Sequence, residues 1–143
     1  MILFAKIFFW GTMQPMNIKK FLFVFLRSLP ALCIFCISFY LSGKSTIENM
    51  PTFLFADKLV HFICFSGLSF WVAFACGLKG FSKRELLVPS LIISLYGIID
   101  EIHQSFIPGR MMSFGDWVTD SLGGIFGSLV FFLLVRCINN RQR

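Results

Sequence analysis

Between Ile99 and Gly124 the chain reads IDEIHQSFIPGRMMSFGDWVTDSLGG and carries Asp100, Glu101, His103, Gln104, Arg110, Asp116 and Asp120. A second stretch, DKLVHF at Asp57 to Phe62, adds Asp57 and His61. Asp57 and His61 are four residues apart, as are Asp100 and Gln104, and Asp116 and Asp120. On a helix that spacing places both members of a pair on one face. Carboxylates brought together away from water share protons, hold a cation or pair with a base. Glu101, Asp120 and His61 are therefore candidates for acid–base chemistry. Asp57, His61 and Asp116 are candidate ligands for a divalent cation. Arg110 is suited to an anionic headgroup or a carboxylate, with Gln104, Asp100 and Arg27 as further ligand-binding candidates. No serine or cysteine nucleophile stands beside a base, and there is no H-E-x-x-H and no glycine-rich phosphate loop. These residue types suit an enzyme and a binding protein alike.

These groups are set in a chain that is 57% hydrophobic and only 14% charged. Soluble domains are near a quarter charged, and a soluble core of 143 residues could not hide 20 phenylalanines. The expected class is an all-α integral membrane protein. The net charge of +6 does not point to nucleic acid, because the basic residues sit at the ends of apolar runs, with no basic stripe among aromatics. Cys33 and Cys36 form a CxxC inside ALCIFCISF with no second pair. Thiolate chemistry needs a polar setting, so the five cysteines read as small packing residues.

Four apolar runs are expected to span a bilayer: Phe21 to Leu41, Asp57 to Leu78, Leu86 to Gln104, and Asp116 to Val135. Pro30 in the first run and Pro89 in the third each remove a backbone hydrogen bond. Gly123 and Gly127 give the fourth a GxxxG-like face for close helix packing, against a partner or, more simply, against the second helix. Residues 1–20 hold an apolar piece too short to span and no small-residue cleavage site. They read as a cytoplasmic or interfacial segment, or as a start-site artefact with initiation at Met13 or Met16. Residues 21–136 form the four-helix domain, and 137–143 a basic cytoplasmic tail.

Four spans put both termini on one side. Lys6, Lys19, Lys20, Arg27, Lys79, Lys83, Arg84, Arg136, Arg141 and Arg143 fall there, against Lys44, Lys58 and Arg110 on the other. The excess places both termini in the cytoplasm. The outer ends of the second, third and fourth helices then bring Asp57, His61, Asp100, Glu101, Gln104, Asp116 and Asp120 to one depth, under the loop that carries Arg110. Arg27 has two readings: a side chain snorkelling to nearby headgroups, or an inward cation pairing with carboxylates.

The cluster has two readings as well. It is a hydrogen-bond network holding the helices in register, or a functional site. Interhelical polar contacts in membranes contribute about 0.6 to 2 kcal/mol each, and a charge at mid-depth costs about 2.5 to 3.5 kcal/mol. At the outer rim the second figure falls, so magnitudes alone do not decide. The number of ionisable groups exceeds what register requires, which favours a site.

The residues DKLVHF at Asp57, DEIHQSFIPGR at Asp100 and DWVTDSLG at Asp116 resemble the VanZ-like membrane proteins. That family's pattern is D-K-x-x-H-F opening the second helix, D-E-x-x-Q-x-F-x-P-x-R after the third, and D-x-x-x-D-x-x-G entering the fourth. Lys58, Phe62, Phe106, Pro108 and Gly123 also stand at matching positions. Arg27 before Pro30 matches a first-helix arginine, and the likeness runs from about residue 21 to 135. The resemblance implies a multi-pass protein of a bacterial cell membrane, whose founding member is associated with low-level resistance to the glycopeptide teicoplanin. Three expectations follow: binding of a lipid-linked or cell-wall-related ligand, a metal-assisted or acid–base hydrolase or transferase acting on one, or a structural accessory subunit.

Overall fold

The computed structural model describes residues 18–45, 53–77, 79 and 82–142, with the side chains of residues 83 and 84 left aside. Within them the chain forms four α-helices and no strand: α1 (Ile18–Ser42), α2 (Ala56–Ala75), α3 (Lys83–Gln104) and α4 (Phe114–Arg141). All four are long and apolar enough to cross a membrane. The segment expected at residues 1–20 lies outside the described residues, except that Ile18, Lys19 and Lys20 open α1. α1 and α3 pass through Pro30 and Pro89 without a break. α4 runs to Arg141, past the expected end at Val135, because nothing between Arg136 and Arg141 stops a helix.

The bundle is organised as a membrane protein must be. Large apolar residues such as Ile37, Ile63, Leu95 and Leu122 face outward, where lipid tails would meet them. The interior combines large apolar residues such as Phe65 and Ile93 with small and polar ones, among them Ser69, Ser128, Gly123 and Gly127. α4 packs most extensively on α2 and next on α3. A Cβ at Gly123 would lie 2.7 Å from the Phe62 carbonyl oxygen, and one at Gly127 would overlap the carbonyl of Ser66. The GxxxG-like face therefore serves α2 of the same chain. Gly124 turns the other way, where a Cβ would come within 2.9 Å of Ile93 on α3. Ser69 Oγ donates to the Gly124 carbonyl at 2.6 Å and lies 2.6 Å from Ser128 Oγ, which in turn accepts from Ser90 Oγ at 3.2 Å. These hydroxyls tie α2, α3 and α4 together at mid-bundle, where lipid offers no hydrogen bonds.

Candidate functional site

The ends of α2, α3 and α4 near the Arg110 loop hold the acids. The loop from Ser105 to Ser113 folds back at Gly109, whose φ of +83° suits glycine, and delivers Ser113 as the N-cap of α4. Ser113 Oγ accepts from the Asp116 N–H at 3.2 Å, while its own N–H donates to Glu101 Oε2 at 2.6 Å. One residue thus starts α4 and fixes the carboxylate at the end of α3.

Three carboxylates here are almost fully buried: Asp100 at 1%, Glu101 at 2% and Asp120 at 0% exposure. Each has one oxygen held or paired and one oxygen without a partner. Gln104 Nε2 donates to Asp100 Oδ2 at 2.8 Å, leaving Oδ1. Ser113 holds Glu101 Oε2, leaving Oε1. Asp120 Oδ1 lies 2.9 Å from His61 Nδ1, leaving Oδ2. Gly97 on α3 makes room for Asp120, since a Cβ there would stand 3.1 Å from the Asp120 Cβ. One donor atom from each of His61, Asp100 and Glu101 lies within 4.8 Å of the others.

A cavity of about 50 Å³ opens beside this group, lined by Ser38 and Ser42 of α1, His61 of α2, Asp100 and Gln104 of α3, and Arg110. It is large enough for an ion with a few waters and too small for a whole headgroup. Arg110 Nη1 donates to the Lys44 carbonyl at 3.4 Å, which ties the loop to the end of α1.

His61, Asp100, Glu101, Gln104, Asp120 and Arg110 are brought together, as their spacing suggests. Asp57 and Asp116 are not brought to His61 as a ligand set. Asp57 is 55% exposed, and Lys58 Nζ stands between the two acids, 3.4 Å from Asp57 Oδ2 and 2.6 Å from Asp116 Oδ1. A lysine ammonium occupies the place where a shared cation would sit. Arg27 lies at the opposite end of the bundle, about 22 Å along α1 from Ser42 at the helical rise. Its guanidinium rests 4.6 Å from the Phe74 ring centre and against Gly77, so it meets none of the clustered acids. Lys58, Ser113 and Gly97 are the contributors that spacing missed. Lys58 was findable, because it stands three residues from His61 and so shares a face with it. Ser113 sits three residues ahead of Asp116, a capping spacing.

The VanZ/LLP1 family profile matches residues 1–135, so it takes in the N-terminal stretch that the spaced motifs leave out. With nearly the whole chain covered, the protein belongs to the VanZ/LLP1 family. Neither the curated proteins nor the solved structures contain a significant match to it.

Proposed function

We propose that this family member lies in a bacterial cell (inner) membrane with both termini in the cytoplasm, and binds a lipid-linked or cell-wall-related envelope ligand from the extracytoplasmic side. The observation that carries this reading is the cavity beneath Arg110, whose walls include buried Asp100 and His61. The lysine and arginine bias sets its sidedness. A polyprenyl-type tail would lie along the apolar flanks of the bundle, and an anionic group would meet Arg110 at the cavity mouth. An effect on teicoplanin susceptibility is the whole-cell consequence that follows if the ligand belongs to wall synthesis.

The Asp120–His61 pair beside Glu101 favours a second reading of the same site, in which the bound ligand is hydrolysed or transferred by acid–base or metal-assisted chemistry. Titration of a polyprenyl phosphate into the detergent-solubilised protein, followed by tryptophan fluorescence, tests the binding. Arg110→Glu should weaken it at least ten-fold while the variant stays helical and monodisperse. Equal binding by Arg110→Glu contradicts the assignment. Conversion of bound ligand by the wild type, lost in Glu101→Gln with binding kept, selects the enzymatic reading.

A further inference from the structure

The pattern of held and orphaned atoms at the acid cluster points to a ligand of positive charge. Asp100 Oδ2 and Glu101 Oε2 are each fixed by a donor, at 2.8 Å and 2.6 Å. Their second oxygens, and Asp120 Oδ2, are buried with no partner. Buried carboxylate oxygens are ordinarily satisfied by donors or by a metal, so the unpartnered oxygens of Asp100 and Glu101, on residues that each bring a donor atom within 4.8 Å of one another and of His61, call for an occupant. Nearby cations do not fill the role. Lys58 is engaged by Asp116 at 2.6 Å, and Arg110 Nη1 is directed to the Lys44 carbonyl.

We infer that His61, Asp100 and Glu101 form a site for one divalent transition-metal ion, with Asp120 as the carboxylate that orients His61. The Nδ1 of His61 is taken by Asp120 at 2.9 Å, which leaves Nε2 as its donor atom. Metal-binding imidazoles are commonly fixed by a carboxylate in this way, and Gln104 and the Ser113 N–H steady the two acids in the same manner. Donor atoms on one zinc ion stand about 3.4 Å apart, given bonds of about 2.0 to 2.2 Å. One donor atom from each of the three residues lies within 4.8 Å of the others, so the group draws in by about 1.4 Å to hold an ion. The imidazole among the ligands favours zinc over magnesium or calcium, while the two carboxylates also suit manganese. Three protein ligands leave coordination positions open. That these positions face an anionic group of the ligand held at Arg110 rests on the function proposed above; uptake of the ion does not.

The test is made on the whole protein. It is extracted in detergent without chelator for metal analysis, then stripped and titrated calorimetrically with zinc chloride or manganese chloride alone. One equivalent of either ion is expected. Asp100→Asn and Glu101→Gln should each reduce affinity at least ten-fold, and Asp120→Asn by about 10- to 100-fold as an orienting partner. Asp57→Asn should leave uptake unchanged. Circular dichroism and elution volume confirm that each variant is folded, and the wild-type stoichiometry decides the matter even if one is not. Failure of the stripped wild type to take up either ion at micromolar concentration overturns the inference. So does uptake that survives Glu101→Gln but is lost in Asp57→Asn. No lipid is present, so this result is independent of the polyprenyl phosphate titration.

Discussion

His61 Nδ1 on α2 stands 2.9 Å from Asp120 Oδ1 on α4, and it joins the two helices that pack most closely. The contact is possible because Gly123 and Gly127 let α4 approach the α2 backbone around Phe62 and Ser66. Helix packing and site geometry are thus one arrangement. The glycine stripe sets the helix separation, and that separation places the imidazole between Asp120 and the Asp100–Glu101 pair.

The first expected outcome concerns that imidazole. With Asp120 on Nδ1, neutral His61 carries its proton there and keeps Nε2 unprotonated. Nitrogen NMR of the histidine-labelled protein should show this tautomer. Asp120→Ala should return His61 to a tautomer mixture, whereas His103, which has no such carboxylate contact, should be unaffected.

A second concerns Lys58, which draws Asp116 to 2.6 Å at the start of α4. Lys58→Met leaves a mostly buried carboxylate without its donor. A charge-assisted hydrogen bond contributes about 1.5 to 3 kcal/mol. The Tm in detergent should fall by about 3 to 12 °C, at roughly 2 to 4 °C per kcal/mol for a chain of this size. Lys58→Arg should recover part of that loss.

A third separates the glycines. Gly127→Ala places a methyl onto the Ser66 carbonyl, so α2 and α4 must part, at about 1 to 3 kcal/mol for overpacking. Gly67→Ala meets only Ile34 Cδ1, at 3.9 Å, and should be neutral or stabilising by up to about 1 kcal/mol from helix propensity. Thermal melts of the two variants, measured side by side, should move in opposite directions or differ by several degrees.

The four helices were legible because a bilayer demands long apolar runs. The depth of the acids was legible too, since each lies within a turn or two of a helix end. Facing was not. The four-residue spacing put Asp57 and His61 on one side of α2, yet Asp57 turns outward beside Lys58 while His61 turns inward to Asp120. A side chain's direction depends on how the whole helix is rotated, which packing against Gly123 and Gly127 decides. Glu101 and Asp100 are neighbours in sequence, so helical spacing alone would send them some 100° apart. They converge on one site because Gln104 and the Ser113 N–H draw them from either side, and the latter contact exists only once the loop has folded back. Arg27 illustrates the same limit: the fold sets it on Phe74, away from the clustered acids, which removes the inward pairing and leaves the headgroup reading untouched.

We propose that the acids form a site and are not a network that merely holds the helices in register. Melting of Glu101→Gln and Asp120→Asn against wild type, in detergent with EDTA present so that no divalent ion contributes, tests it most directly. Functional sites hold mutually repelling charges at the expense of stability. If the acids form a site, neutralising either one preserves the Tm or raises it by a few degrees. A drop of several degrees in both variants would mean that the carboxylates are satisfied structural members, and would contradict the claim.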